Sequence, residues 1–308
     1  MAIFSWVRRI VWCLPLCALA GCGGGGSSGS PANATPATRL VALVPFRDPW
    51  TRASQRWLDI DDRPFSASFT NSFGYSSSQV TLSYQTNPTQ PYFIGHIEAR
   101  GLKPNFSYQL KLAGKPRDGS RGWGARGDDR ANEAIGRATR WWNDSTQSNT
   151  DDAAFEAKYK NVAPANRQSI YGYDYMGEFV TDSNGNASVD FDGSKAYHIV
   201  WQDKQNGAKD TPYGTFNISS LNAPFYGYGQ ETPNRTVKLW YEWEANRSRD
   251  VKLPPGTYNC RFLLTEETFH SPSPSTGGLW PTVLASEDFD STGKPDFNTQ
   301  NDIVFTIR

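Results

Sequence analysis

The chain has 308 residues, 31 basic and 31 acidic side chains, and a formal net charge of zero at pH 7. A balanced charge excludes attraction to a polyanion through overall charge, so we expect no nucleic-acid partner. The 27 glycines, 20 prolines and many aromatic residues, with few long apolar runs, favour short strands joined by turns.

The first 21 residues have the order of a secretory signal. Two cations, Arg8 and Arg9, precede an apolar run over residues 10–20, and small residues follow. A membrane-spanning helix needs about 20 apolar residues, and this run is shorter. The sequence therefore predicts a signal peptide over residues 1–21 rather than a transmembrane anchor.

The end of this segment, Leu19-Ala20-Gly21-Cys22, resembles the lipobox of bacterial lipoproteins. The resemblance implies cleavage before Cys22 and attachment of diacylglycerol and acyl chains, palmitate among them, to that residue. Several acyl chains give a stable membrane anchor, whereas one gives only marginal binding. Gly23 rather than Asp after the cysteine favours sorting to the outer membrane if the cell is Gram-negative. The resemblance thus implies a lipid-anchored protein of the cell envelope.

Cleavage would change the charge and the cysteine content. Removing Arg8 and Arg9 from 31 basic residues leaves 29 against 31 acids, a net charge of −2. Cys13 and Cys17 leave with the signal and Cys22 is lipidated, so Cys260 alone keeps its thiol. We expect stability to come from a packed core, without an internal disulfide.

Residues 22–39 are rich in Gly, Ser, Pro and Ala and show no apolar periodicity. They predict a disordered tether with an end-to-end distance of roughly 20 to 25 Å. The body, residues 40–308, is long enough for one large domain or two sandwich halves.

Alternation of apolar and polar residues predicts half-buried strands along the body. The first covers residues 40–44 and ends at Pro45. The Asn184-Gly185 pair predicts a tight hairpin, in which both residues take positive φ. Further strands are predicted around residues 65–69, 80–84, 92–99, 108–112, 176–180, 187–191, 197–201, 237–243, 258–264 and 303–307.

Two segments open strands with the same pattern. Leu102 and Pro104 precede Tyr108, and Leu253-Pro254-Pro255 precedes Tyr258. Both resemble the tyrosine corner of immunoglobulin-like and fibronectin type III domains, where the phenol binds the backbone upstream. The resemblance implies a mainly β protein, an immunoglobulin-like or fibronectin-like antiparallel β-sandwich, and carries no function.

Residues 117–166 have a helical pattern instead and predict an insertion in the β framework. Asp128 or Asp129 is placed to cap a helix, and Asp151 to cap a second, short helix that contains Phe155 and Tyr159. The stripe of the first helix comprises Ala131, Ala134, Ile135, Ala138, Trp141 and Trp142. Cations and tryptophans interleave over residues 115–142, but acids break up the positive field, so we expect these tryptophans mainly to anchor the insertion.

The three histidines, His96, His198 and His270, all lie in or beside predicted strands. Brought together by a sandwich they would bind zinc or copper, with Glu98 or Glu266 as a further group. The alternative is three separate structural histidines, since no short ligand spacing is present.

Two acidic stretches raise the question of a calcium site. Residues 288–293 have the first acidic spacings and the glycine of an EF-hand loop, but Thr299 stands where the bidentate Glu belongs. Asp59, Asp61 and Asp62 form another acidic cluster. For both we favour solvated acidic loops.

Paired carboxylates are the remaining candidates for chemistry. In a strand, Trp240, Glu242 and Glu244 share one face, an arrangement suited to binding a sugar or, with two carboxylates, to hydrolysing a glycoside. Glu266 and Glu267 form a second pair. The body, residues 40–308, lacks the sequence patterns of a nucleophile elbow, a His-Glu-x-x-His helix and a phosphate loop. We therefore expect a non-catalytic binding or scaffolding protein with a protein or polysaccharide partner; a glycosidase or carbohydrate-binding protein and a metal-binding protein (zinc, copper or calcium) are the alternatives.

Overall fold

Strands dominate the chain, and the strand pairings are antiparallel throughout the described residues. The computed structural model describes residues 37–46, 54–60, 63–116, 128–146, 148–201, 212–218, 225–226, 235–243, 250–267, 281–287 and 301–308, with side chains except at 54–55, 198–201, 212–218 and 235–243. The lipobox with Cys22, the tether before residue 37, His270, Glu244 and the acidic stretches at 61–62 and 288–293 lie outside these residues.

The strands are β1 (Thr38–Ala42), β2 (Val44–Pro45), β3 (Gln79–Gln85), β4 (Ile94–Arg100), β5 (Ser107–Gly114), β6 (Arg140–Asn143), β7 (Ser148–Thr150), β8 (Ile170–Val180), β9 (Ala187–Asp192), β10 (Tyr197–Trp201), β11 (Pro212–Ile218), β12 (Arg235–Trp243), β13 (Gly256–Glu267), β14 (Thr282–Ala285) and β15 (Ile303–Ile307). The α-helices are α1 (Ala67–Ser72), α2 (Asp129–Ala138) and α3 (Asp152–Phe155), which continues as a π-helical turn over Glu156–Lys160. Short 3-10 turns cover Ser54–Trp57, Tyr75–Ser77 and Pro164–Asn166.

Two sheets enclose the main core. The smaller sheet has the order β1-β3-β4-β9, and the larger has the order β2-β14-β13-β5-β8-β6-β7 with β15 also paired to β13. Between them the Phe93 ring lies 5.4 Å from Tyr84, 6.4 Å from Phe262 and 5.1 Å from Phe305, measured between ring centroids. The mainly β, sandwich-like architecture predicted from the sequence is confirmed.

Alternation along the strands builds this core, as period-2 patterns require. Val80, Leu82 and Tyr84 of β3 are buried against the alternating Tyr258, Cys260, Phe262 and Leu264 of β13 in one cluster. β13 is the central strand: β5 pairs along one edge, and β14 and β15 share the other. The predicted last strand therefore does pair back into the sheet.

The first predicted strand divides between the two sheets. β1 pairs with β3 of the smaller sheet, whereas β2 pairs with β14 of the larger one. The buried Leu43 lies at the crossing. Pro45 is the last residue of β2, so the extended segment ends there as predicted; it lies at the edge of the sheet, where a missing backbone donor is tolerated.

The predicted Asn184-Gly185 hairpin is wrong. β8 belongs to the larger sheet and β9 to the smaller, so the turn joins the two layers instead of two paired strands. Gly185 takes φ +79°, but Asn184 is not among the described residues with positive φ. The Gly185 N–H donates to the Asp182 carbonyl at 3.1 Å, and the Leu102 N–H donates to the Gly185 carbonyl at 3.0 Å.

The strand predicted around residues 65–69 is also wrong, because this stretch is the start of α1. Ser66 caps the helix, its Oγ accepting from the Phe69 N–H at 3.1 Å. Phe65, Phe69 and Phe73 are four residues apart, and their rings contact one another in turn at a tilt, with centroid distances of 5.0 and 5.2 Å. Their four-residue spacing is the helical signal that outweighs the two-residue alternation.

The helix predicted to run through Trp142 ends earlier, at Ala138. Asp128 caps α2 as predicted, and Asp151 caps α3. At the other end of α2, the Thr139 hydroxyl lies 2.7 Å from the Ile135 carbonyl and 2.8 Å from the Tyr173 carbonyl. Thr139 thereby turns the chain from the helix into β6, so Trp141 and Trp142 lie on a strand of the larger sheet, and residues 128–166 mix helices with β6 and β7.

A third layer is formed by β10, β12 and β11, in that order. The side chain of Gln109, on the outer face of β5, donates to the Tyr197 carbonyl at 2.6 Å. The Tyr197 hydroxyl in turn donates to Glu178 on the outer face of β8. The larger sheet is thus covered on parts of both faces, which explains why every residue of β5 is buried.

Candidate functional site

The structure describes one predicted metal ligand, His96, with its side chain. His96 lies on the outer face of β4, its Nδ1 2.7 Å from Asp190 Oδ1 and its Nε2 3.0 Å from Glu98 Oε1. The hydrogen bonds to Glu98 and then Asp190 raise the pKa of the imidazole above 6.5. His198 belongs to β10 of another sheet, and His270 lies outside the described residues.

Ser188 joins this His96 group without forming a nucleophilic triad. Its Oγ donates to Glu98 Oε1 at 2.6 Å and lies 3.4 Å from His96 Nε2. A serine nucleophile needs its proton held by the base, whereas here a carboxylate holds it. Within the described part of the chain, no group of three or more His, Cys, Asp or Glu side chains is arranged to hold a metal.

The predicted sugar face lies in the third layer. Trp240 and Glu242 both belong to β12, the middle strand of its sheet, so they do not occupy an edge. In the Cα register Glu242 lies opposite His198, and Trp240 lies opposite Val200. Residues from two separate sequence hypotheses are therefore partners in the strand register, a pairing that spacing alone does not reveal.

Glu266 of the second carboxylate pair is buried inside the sandwich. Its Oε2 accepts from Arg56 Nε at 2.9 Å, and its Oε1 lies 2.7 Å from Lys103 Nζ. Tyr75 also donates to it, and the Tyr75 and Tyr108 hydroxyls are 3.1 Å apart. Burial works against its charge, but Lys103 and Arg56 outweigh burial and lower the pKa of the Glu266 carboxyl. This closed charge network stabilises the fold.

Glu267 faces the opposite side of β13 and is buried too. Its carboxylate lies 3.7 Å from Lys111 Nζ and accepts from the Thr265 hydroxyl at 3.0 Å. Adjacent residues of a strand point to opposite faces. Glu266 and Glu267 therefore have different partners and do not form the catalytic pair that the sequence suggested.

Asp59 does not belong to a solvated loop, contrary to expectation. It is fully buried, 3.1 Å from the Arg63 guanidinium, and accepts from the Tyr226 hydroxyl at 2.9 Å. Its charge is thus compensated inside the protein, as buried ions require.

A further buried charge network lies at one end of the larger sheet. Lys115 bridges Glu287 and Asp302, and Arg261 also donates to Glu287. Burial opposes the charge of Glu287, yet Arg261 and its other partners lower its pKa to about 2. The pKa of Asp302 is raised by burial and by its hydrogen bond to Glu287.

Four aromatic side chains, Trp142, Tyr171, Tyr173 and Tyr175, line the outer side of β6 and β8; we call them the aromatic face. Trp142 pairs directly with Tyr171 in the strand register. Centroid distances are 6.5 Å from Trp142 to Tyr173, 6.0 Å from Tyr171 to Tyr173 and 5.1 Å from Tyr173 to Tyr175. Trp142 and Tyr171 are half-buried, and the other two are buried.

Cationic and polar groups border the aromatic face. The Arg140 Nη1 donates to the Tyr175 hydroxyl at 3.1 Å, and the Tyr173 hydroxyl donates to the exposed Asn149 at 3.1 Å. This face was not predicted, because the predicted strand begins at Met176 whereas β8 begins at Ile170. The alternation of Tyr171, Tyr173 and Tyr175 is the sequence pattern that predicts a longer strand with these three rings on one face.

Trp141, on the other side of β6, is a packing residue. It is fully buried and stacks on Phe155 at a centroid distance of 4.0 Å, and its indole N–H donates to Asp152 at 2.6 Å. It attaches α3 to the larger sheet. For Trp141, the expectation that the tryptophans anchor this region is confirmed.

Cys260 is free and buried in β13. Burial, chiefly, raises the pKa of its thiol well above the usual 9.0. A protonated, enclosed thiol is a poor nucleophile, so Cys260 acts as a small core residue.

The described helices are all too short or too polar to cross a membrane. No protein-family model matches the chain, nor does any curated protein or solved structure.

Proposed function

We propose that this chain is a lipid-anchored protein of the cell envelope, in the outer membrane if the cell is Gram-negative. Its body is a β-sandwich of immunoglobulin-like or fibronectin-like type that binds a partner without catalysis. The lipobox supports the anchor. The hydrogen bond from the Tyr258 hydroxyl to the Pro254 carbonyl, 2.6 Å long, supports the sandwich type, since a tyrosine corner makes this bond.

The aromatic face carries the binding proposal. Trp142 and Tyr171 remain partly exposed although the same ring cluster continues into the buried Tyr173 and Tyr175. Aromatic side chains of this kind supply a large apolar surface with a polar edge, and they lose little conformational entropy on binding because their rings are already packed.

The ligand that this face fits best is a polysaccharide. A sugar ring has an apolar C–H side, which gains free energy when it covers an exposed aromatic ring. Its hydroxyl groups need donors and acceptors beside that ring, and Arg140 and Asn149 border the face. An envelope protein held beside the cell wall would encounter polysaccharides.

Glycan binding is tested on the full-length chain with peptidoglycan sedimentation and with gels cast with soluble β-glucan. We expect retention by at least one glycan, and at least a tenfold loss in Trp142→Ala and Tyr171→Ala. Tyr92→Ala, which removes a half-buried tyrosine near the smaller sheet, is the matched control. Wild-type chain that neither glycan retains, or variants that bind like wild type, would overturn the assignment.

The lipid anchor is tested separately by metabolic labelling with an alkyne fatty acid and by membrane fractionation. We expect Cys22→Ser to lose both the label and the membrane association, whereas Cys17→Ser, inside the predicted signal, keeps them. Labelling that persists in Cys22→Ser would show that the lipobox interpretation is wrong.

A further inference from the structure

Asp174 is an acid in an apolar position. It lies on the core side of β8, opposite Leu112 in the strand register, and is 2% exposed. Among the described residues, its Oδ1 has no hydrogen-bond partner. Buried carboxylates are normally paired with a cation or coordinate a metal, because leaving the charge uncompensated is costly. In the part of the chain that the structure describes, no protein cation is among the groups that act on this carboxylate.

A second carboxylate, Asp192 at the end of β9, directly precedes Gly193, whose backbone lies against Asp174; burial and then the charge of Asp192 raise the pKa of the Asp174 carboxyl. Asp192 is exposed, and its Oδ1 accepts from the Ser194 N–H at 2.9 Å. Two like charges at one place oppose each other unless a cation lies between them. Asp192 thus adds a second negative charge near the buried acid, which a bound cation would offset.

The backbone at Gly193, the residue after Asp192, lies against the buried acid. A Cβ built on Gly193 would lie 3.1 Å from Asp174 Oδ2 and 3.5 Å from the Phe93 carbonyl oxygen. The carbonyl oxygen already accepts from the Gly193 N–H at 2.7 Å and has a second lone pair. The absence of a side chain at Gly193 lets the buried carboxylate and the backbone approach closely.

We propose that Asp174 and Asp192, with the Phe93 carbonyl, form a binding site for a calcium ion that joins the two sheets. Every donor is an oxygen, which suits hard cations and not zinc or copper. Calcium accepts carboxylates, backbone carbonyls and water together in flexible geometry, whereas magnesium demands a nearly ideal octahedron. Water completes the coordination on the exposed Asp192 side. The site shares no residue with the aromatic face or with the acidic stretch at 288–293.

Isothermal titration calorimetry and thermal melts of the chelator-treated full-length chain with CaCl2 test this site. We expect saturable binding and a melting temperature several degrees higher at saturating calcium, because a ligand that binds only the folded state stabilises it. Magnesium at equal concentration should give a smaller shift. A wild-type chain with neither heat nor shift overturns the proposal.

Two variants locate the binding. Asp174→Asn and Asp192→Asn should each reduce calcium affinity at least tenfold, and Asp192→Asn, at an exposed position, keeps the test decisive if the buried variant does not fold. Asp190→Asn removes a carboxylate of the same strand that faces His96 instead, and it should bind calcium like wild type. Calcium binding unchanged in Asp192→Asn would place the ion elsewhere and refute the site.

Discussion

The Tyr258 hydroxyl donates a 2.6 Å hydrogen bond to the carbonyl of Pro254, four residues upstream. Tyr108, which opens β5 after a similar Leu-x-Pro segment, does the reverse: its hydroxyl accepts from the Lys103 N–H at 3.0 Å. It also lies 3.1 Å from the Tyr75 hydroxyl, within the charge network of Glu266. Two segments of the same pattern therefore have different roles, one closing a corner and the other ordering buried charges.

Replacing Tyr258 by Phe should lower the free energy of unfolding by about 1 kcal/mol, the net value of a typical hydrogen bond. Urea denaturation measures the change, and Tyr92→Phe, which alters a half-buried tyrosine, should stay within experimental error. Burial raises the pKa of Tyr258 to about 12. The stabilisation from Tyr258 is therefore complete below its unfolded pKa, near 10, and is lost as the pH rises through 12. Equal stability of wild type and Tyr258→Phe would contradict the assigned bond.

Replacing Glu266 by Gln should be far more damaging. It leaves Arg56 and Lys103 buried without an anion, at a cost of about 3–5 kcal/mol. The exposed Glu98→Gln is the matched control and should lower the free energy of unfolding far less, because its ion pair is screened by solvent. Because the folded pKa of Glu266 is depressed below 4.5, its stabilisation is present above that pH and is lost as pH falls through the lower value. Acid titration followed by circular dichroism compares the stability of the two variants. Equal losses of stability in Glu266→Gln and Glu98→Gln would refute the buried charge network of Glu266.

Replacing Gly185 by Ala should destabilise the link between the sheets by about 1–3 kcal/mol. The residue has φ +79°, and a Cβ would lie 2.0 Å from the Leu102 carbonyl oxygen. At Gly74, φ is −157° and the nearest atom to a Cβ, Ser76 Oγ, is 3.7 Å away. Gly74→Ala should therefore be nearly neutral in thermal unfolding. Similar melting temperatures for the two variants would show that the turn tolerates a side chain.

His96 should titrate above 6.5, since Glu98 and Asp190 both stabilise the imidazolium. Its ion pairs contribute stability below the unfolded pKa, and that contribution is lost as pH rises through the raised folded value. The effect on stability is small because the group is solvent-screened. NMR titration of the ring should show a lower midpoint in Glu98→Gln and again in Asp190→Asn. A wild-type midpoint at or below 6.5 would contradict the ion pairs.

Local patterns succeeded where a residue's neighbours in sequence determine its environment. Asp128 and Asp151 cap helices because a cap needs only a side-chain oxygen and the following backbone N–H groups. Val80, Leu82 and Tyr84 were assigned correctly because alternation alone separates the two faces of a strand. Phe65 and Phe69 were wrongly assigned to a strand, because residues four apart share a face both in a strand and in a helix. Ser66, which caps the helix, and Phe73, which continues the four-residue spacing, were the residues that indicated a helix.

The sequence by itself determined that the protein is mainly β, with half-buried strands and a segment containing capped helices, and it predicted a secreted, lipidated start. Only the tertiary structure decided which strands are neighbours: β8 and β9 look like a hairpin but lie in different sheets. It also decided that Glu266 is paired, that Asp174 lies against the backbone of Gly193, and that Trp142 lies beside Tyr171. Hydrophobic periodicity is a local property of the chain, whereas charge compensation and the assembly of a site depend on residues far apart in sequence, which are brought together only when the sheets pack.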